Sequence, residues 1–321
     1  MRKSSKESIL NKILRKTIEM VRDATPFGIR WRVGPYFAYV LYFFRVYVFG
    51  NSGAPKVLSL NDTLDLIIRE KLSVIRFGDG EISIMEKIDM GFQKADANLA
   101  KGLKEVVQAS GKGLLICVPG IFGKLEGFAK LSFRFSLHQL FRNMPIWTAL
   151  LSKDQIYGDA YITRPYLTYN QALRKQSGEI FRKLFSIWGG KNVVLIEGSK
   201  SRTGVGNDMF KNAASVSRIL GPAENAYSRY NEIKAVALKA SKDKLILLSL
   251  GPAAKVLAYD LFKAGYRVID IGHADMEYEM YIRKEPVQVK VRYKYFNELQ
   301  ERDPEECTDP EYLSQIIANI Q

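Results

Sequence analysis

The sequence predicts an α/β protein: an open, mostly parallel β-sheet with helices on both faces, preceded by a basic, aromatic helical arm. Three observations carry that expectation. Short apolar, β-branched runs alternate with amphipathic stretches between residues 58 and 271. The runs are apolar throughout rather than alternating with polar residues, so they read as strands buried on both faces, as parallel strands are. Five of them end in glycine-rich polar turns, which gathers the polar chemistry beyond the carboxyl ends of the strands, where ligands bind sheets of this kind.

The chain divides by composition into an arm (1–56), a regular α/β region (57–285) and a C-terminal extension (286–321) expected to pack on that region. Of 321 residues, 48 are Lys or Arg and 34 are Asp or Glu, a net charge of +14. Residues 1–56 hold 11 Lys/Arg against 3 Asp/Glu, so +8 of that charge sits in the arm. A basic balance suits anionic partners: nucleic acid, an acidic membrane surface or nucleotide-linked substrates. Residues 35–49 are strongly aromatic, shorter than the ~20 residues of a spanning helix, and interrupted by Arg45. They read either as an interfacial segment or as a helix that packs on the α/β region or on a partner, and the internal Arg favours packing. No small-residue cleavage site follows a compact apolar stretch, so no signal peptide is expected. Cys117 and Cys307 are far apart, which fits a reducing compartment and argues against a disulfide framework or a structural zinc site. The expectation is a cytoplasmic protein, peripheral at the inner face of the membrane at most.

In chain order, Asn61 or Asp62 is expected to cap a helix running to about residue 70. Residues 73–77 form a strand, 96–110 a helix, and 113–118 a strand ended by Pro119-Gly120. Residues 121–165 are aromatic and basic with weak periodicity, and read as a substrate-facing insertion. Residues 171–188 form one long amphipathic helix and 192–197 a strand. The rest alternates: helix 207–214, strand 217–220, helix 228–240, strand 244–250, helix 252–264, strand 266–271.

The turns carry the chemistry. In Arg76-Phe-Gly-Asp-Gly-Glu81, glycines bracket Asp79 and let a ligand approach the backbone at Gly78. If the segment is extended, Asp79 and Glu81 point the same way and suit Mg²⁺ or Mn²⁺; the alternative is a turn with solvated acids. In Glu197-Gly-Ser-Lys-Ser-Arg-Thr-Gly-Val-Gly-Asn-Asp208, backbone N–H groups around Gly204 and a helix starting at Asn207 or Asp208 would cradle phosphate, with Ser201 alongside and Arg202 as a bidentate clamp. The alternative is a flexible loop with a helix cap. Neither the P-loop nor the G-x-G-x-x-G order is present. In His273-Ala-Asp-Met-Glu-Tyr-Glu279, acids alternate. Extended, all share a face with His273; helical, Asp275 pairs with Glu279 at i, i+4. One of them would serve as general base, or they are helix N-terminal acids favoured by the dipole. Arg164, before Pro165, is either a second phosphate or acceptor contact or a solvated arginine.

These blocks, together with Leu250-Gly-Pro252 and Leu257-Ala-Tyr-Asp260, resemble the GT-D-type glycosyltransferases over about residues 58–282. The resemblance implies a Rossmann-like sheet, a nucleotide-sugar donor such as UDP-glucose, a glycan acceptor and a divalent metal, Mn²⁺ or Mg²⁺. It implies that the Asp-x-Glu motif serving metal and diphosphate falls on Asp79 and Glu81. Chemistry then assigns Ser201 to Asp208 to donor binding, His273, Asp275 and Glu279 to the catalytic centre, and added positive charge to Arg76 and Arg202. Met280 departs from the aromatic residue expected there. Two rival functions stay open: a non-catalytic nucleotide-sugar or glycan binder, and nucleic-acid binding by the arm, for which no recognised module is present.

Overall fold

The structure, a computed structural model, describes residues 39–40, 42–43, 54–299 and 303–321. Most of the arm therefore lies outside the described residues.

Nine strands form one sheet, wholly parallel among the described residues. They are β1 (Lys56–Val57), β2 (Ser73–Arg76), β3 (Leu114–Val118), β4 (Ile156–Asp159), β5 (Asn192–Gly198), β6 (Ser215–Gly221), β7 (Leu245–Ser249), β8 (Arg267–Asp270) and β9 (Ile316–Asn319). Their spatial order is β1-β4-β3-β2-β8-β7-β5-β6-β9. Period-2 alternation splits the strands between two cores. Val194 and Ile196 face one core, while Val193 and Leu195 face the other. At the middle of the sheet β2 lies beside β8, where Val268 N–H donates to Ser73 Oγ at 3.1 Å across 195 residues of chain.

Among residues 54–299 and 303–321, ten α-helices cover the faces: α1 (Leu60–Glu70), α2 (Asp79–Met85), α3 (Ala97–Val107), α4 (Lys130–Leu150), α5 (Gln171–Arg174), α6 (Ser177–Ser186), α7 (Tyr230–Ala237), α8 (Ala253–Lys263), α9 (Ala274–Arg283) and α10 (Pro310–Gln315). Residues of α3, α4, α7 and α8 pack on one face; residues of α1, α6 and α9 pack on the other. Helix α8 buries Ala253, Ala254, Leu257, Ala258 and Leu261 against the sheet. Each fully buried leucine of this kind is worth about 2 kcal/mol.

Several boundaries differ from the sequence-based expectation for identifiable reasons. The cap of α1 is Ser59, whose Oγ accepts from Asp62 N and donates to the Asp62 carboxylate, so the helix starts before Asn61. The helix expected over 171–188 breaks at Lys175–Gln176: Asn170 caps the short α5, and Ser177 Oγ opens α6 by donating to Pro165 O. Residues 207–214 form turns rather than a helix. Gly204 and Gly206 hold φ of +80° and +77°, and a Cβ on Gly204 would meet the Phe210 ring at 2.5 Å. The stretch 121–165 contains α4 and β4. Pro145 lies inside α4, and apolar residues on several sides of the helix blur its period. The extension 286–321 joins the sheet through β9, and Arg202 buries its guanidinium beneath it, donating to Tyr293 O and Glu305 O and pairing with Glu306 at 2.9 Å.

Candidate active site

A cleft of about 970 Å³ opens beyond the carboxyl ends of seven strands, β2 to β8. Gly78, Pro119, Ala160, Gly198, Pro222, Gly251 and Gly272, one from each strand end, line it. The three blocks singled out in the sequence meet there: Asp79 and Glu81, then Ser201 and Thr203, then His273, Asp275 and Glu277. This is the size and placement expected of a ligand site in a parallel α/β sheet.

The first turn of α2 separates the two acids of Gly78-Asp-Gly-Glu. The segment is helical from Asp79, so residues two apart point to different sides and the extended reading is set aside. Glu81 folds back as residue N3, its Oε2 accepting from Gly78 N at 2.7 Å. Its other oxygen stands 3.2 Å from Lys255 Nζ. Lys255 also lies 3.1 Å from Asp270 Oδ2, and Arg76 reaches the other Asp270 oxygen at 3.4 Å. Arg76 further donates to Asp270 O and Ala160 O. A buried chain Glu81–Lys255–Asp270–Arg76 thus floors the cleft. Burial pushes the Asp270 carboxyl up, but Lys255 and Arg76 outweigh it and hold the group below its ordinary value. Gly272 completes this floor: its φ is +44°, and a Cβ there would meet Arg76 Nη2 at 2.0 Å.

Asp79 is different. It is exposed to the cleft, and its carboxyl is raised by the surrounding protein and then by Glu81, partly opposed by its own backbone N–H and by Arg164. As donors for a hard cation the two acids are unequal. Among the described residues no three His, Cys, Asp or Glu side chains cluster as a metal site. Asp79 alone, with substrate phosphates and water, fits the one-carboxylate habit of Mg²⁺; Glu81 is committed to Gly78 and Lys255.

Two backbone N–H groups at the heart of the loop 198–208 go to buried acids. Thr203 N donates to Glu197 Oε2 at 2.7 Å and Gly204 N to Asp275 Oδ1 at 2.9 Å. Asn207 Nδ2 bridges Asp275 and Glu279, 2.7 Å from each, and Asp208 accepts from the Tyr278 hydroxyl. The cradle read from its glycines is therefore filled by α9. Ser201 faces the cleft, whereas Arg202 points away from it into the C-terminal extension.

Helix α9 realises the i, i+4 alternative: Asp275 and Glu279 share Lys294, at 2.7 and 3.0 Å, all three buried. Asp275 lines the cleft but offers both oxygens to Lys294. Glu279 is held by Arg283 and Lys294 away from the cleft lining. On the cleft side stand Glu277 and His273. Burial raises the Glu277 carboxyl, opposed by Arg164 at 3.5 Å and by the Tyr166 and Leu167 N–H groups. Arg164 makes a fork to Glu298, 2.9 and 3.1 Å, and His273 Nδ1 lies 3.6 Å from the same carboxylate. Lys255, Lys294 and Glu298 were not singled out by sequence. Lys255 sits on the shoulder of an apolar helix stripe, a detectable signal; Glu298 comes from the extension and has none.

Comparison with known proteins agrees with this architecture. The sequence model of the glycosyltransferase GT-D fold matches residues 74–299. The chain is 36% identical to Glycosyltransferase GlyD of Streptococcus pneumoniae serotype 4 over 83% of its own length and 32% of that protein's. It is also 36% identical to a Streptococcus gordonii protein named Gly, over 82% of this chain and 39% of that one. The chain thus spans between about a third and two fifths of the length of these curated relatives. A solved structure described as a new glycosyltransferase (DUF1792) from Streptococcus sanguinis superposes with a TM-score of 0.80 at 37% identity, covering 84% of this chain and 100% of that one. A second, described as domain of unknown function 1792 with a distinct glycosyltransferase fold, gives 0.80 at 35% identity over 84% and 97%.

Proposed function

Because the chain belongs to the GT-D-fold family of glycosyltransferases, we propose that it moves a hexose, glucose from a UDP donor, onto a hydroxyl of a growing glycan. The observation that carries this reading is one cleft at the strand ends whose lining includes Asp79, Arg164, His273 and Glu277. In the transfer, an acceptor oxygen forms a bond to the anomeric carbon while the bond from that carbon to the diphosphate breaks. The diphosphate leaves with the electron pair, and the acceptor proton goes to the protein.

His273 takes that proton. Its Nδ1 is turned to Glu298, which leaves Nε2 for the acceptor, a base oriented by a carboxylate. Arg164, already forked to Glu298, adds positive charge where the diphosphate departs. Asp79 would hold Mn²⁺ or Mg²⁺ together with the diphosphate, and the ion would supply charge neutralisation of the leaving group. Glu81, Lys255, Asp270 and Arg76 keep the first turn of α2, and so Asp79, in position.

Release of UDP from UDP-glucose by purified protein, with and without EDTA and then with Mn²⁺ or Mg²⁺ restored, tests the proposal. Metal-dependent release that rises on adding acceptor glycan is expected. Binding of UDP with no release under any metal or acceptor would instead favour a non-catalytic binder.

A further inference from the structure

One cation of the cleft is left without an acid. Four Arg and Lys side chains line the cleft: Arg76, Arg164, Arg174 and Lys255. Arg76 and Lys255 pair with Asp270, and Arg164 pairs with Glu277 and Glu298. Arg174 has no carboxylate partner among the described residues. Its Nε donates to Tyr166 O at 2.9 Å, and its guanidinium lies 4.8 Å from the centroid of the Tyr166 ring. The stem is thereby fixed, while the two terminal nitrogens have no acceptor among the described residues. A stacked, oriented guanidinium of this kind is prepared for an oxyanion.

Further donors stand at the same edge. Segments 127–129 and 168–170 run antiparallel: Ala129 N donates to Thr168 O at 3.0 Å, Asn170 N donates to Gly127 O at 2.9 Å, and Phe128 bridges to Tyr169. This seats Thr168 against Ala129, the residue that precedes α4. Helix α4 is 21 residues long and begins without a side-chain cap. The N–H groups of Lys130, Leu131 and Ser132 find no acceptor among the described residues, so the positive end of the helix stays unanswered. Thr168 points to what would answer it. The residue lines the cleft and is only 8% exposed, yet its hydroxyl has no hydrogen-bond partner among the described residues. A buried hydroxyl without a partner is costly, and the cleft is the side from which a partner can come. Half-buried Ser132 also lines the cleft and adds a second hydroxyl.

We infer that Arg174, Thr168, Ser132 and the first turn of α4 form a subsite for a phosphate group carried by the acceptor. A guanidinium fork, helix N–H groups and two hydroxyls are enough donors for the three oxygens of a phosphate ester, more than a carboxylate uses. The place of the subsite assigns it to the acceptor. Leu131, in the same turn, lines the cleft yet is 79% exposed, so this turn is the outer rim, whereas Asp79 follows β2 at the strand ends. A cleft of about 970 Å³ also lies at the top of the range of about 300–1,000 Å³ for a single ligand. The phosphate assignment stands on these residues alone; its attribution to an acceptor rests on the transferase reading.

The probe is inorganic phosphate, read as the rise in melting temperature of the full chain over a chloride series of equal ionic strength. Wild type should saturate. R174Q should raise the half-saturating concentration about tenfold and T168V about fivefold, while K175Q, which removes the exposed charge next in sequence, should leave it unchanged. Melting temperatures without phosphate check folding, and T168V, close to wild type in shape, carries the test if R174Q loosens the rim. UDP with Mg²⁺ should not displace the phosphate. Absence of saturation in wild type overturns the inference, as does saturation of R174Q and T168V like wild type, or an equal loss in K175Q. Displacement by UDP would give the subsite to the donor and overturn its assignment to the acceptor. Phosphate binding needs neither sugar nor turnover, so its failure is separable from failure of the transferase reading, which UDP release reports.

Discussion

Glu81 Oε1 lies 3.2 Å from Lys255 Nζ beneath the cleft, while Asp79, two residues earlier in the same helical turn, is open to it. The two acids of one short motif thus have different work: one is a buried counter-ion, the other a ligand-facing carboxylate.

Substitution separates them. E81Q keeps an oxygen for Gly78 N–H but leaves Lys255 with Asp270 alone, and should cost about 2 kcal/mol in urea denaturation. D79N should leave the urea midpoint where it is and lower UDP release on the order of a hundredfold. Equal loss of stability in both variants would contradict this division.

His273 and Glu298 form the second test. H273Q should lower kcat about a hundredfold with the fold intact, and E298Q less, since it removes only the orienting carboxylate. Burial pushes Glu298 up, but the neighbouring His273 imidazole and the Arg164 guanidinium outweigh it and set the carboxyl far below the usual range. A depressed carboxylate contributes stability that is complete above its unfolded value of about 4.3 and lost as pH falls through its folded value. Residues 286–299 should therefore resist proteolysis equally at pH 7 and pH 5.

Asp159 has the opposite sign. Burial raises its carboxyl to about 7, only partly opposed by the Tyr161 and Gly120 N–H groups. Between about pH 4 and 7 the unfolded chain releases this proton while the folded one keeps it, so stability falls as pH rises through that window. D159N retains an acceptor for Tyr161 N–H and should flatten the decline, read as urea midpoints at pH 5 and pH 8.

Arg202 is expected to act on the extension rather than on donor binding. R202A leaves Tyr293 O and Glu305 O without their donor and should cost about 2 kcal/mol. Trypsin should then cut within 293–306 far faster, while the KM for donor changes little. A large rise in KM with no change in cleavage would return Arg202 to the site.

The strands were legible in the sequence because double burial forces continuous apolar runs such as Val193 to Ile196 and Leu245 to Leu248. The rim was legible because each run ends in glycine and polar residues. What could not be read was set by distant partners. Whether Glu81 faces a ligand depends on Lys255, 174 positions later, and on the Gly78 cap that makes the segment helical. The glycines of 198–208 do bend the loop, but toward Asp275. Arg202 looked like an anion clamp because its acceptors, Tyr293 O and Glu305 O, are backbone atoms that no pattern announces. Helix α4 escaped notice because Pro145 and outward aromatic residues mask its period.

The adjacency of β2 and β8 bears on synthesis. A ribosome that has finished the first of these strands must translate some 195 more residues before its neighbour exists. Until then Arg76 and Glu81 lack Asp270 and Lys255, and the wall supplied by Glu298 comes later still. A polypeptide cut short before β8 accordingly lacks the floor of the cleft altogether rather than carrying a loosened one: the cleft is assembled only once synthesis has passed Glu298.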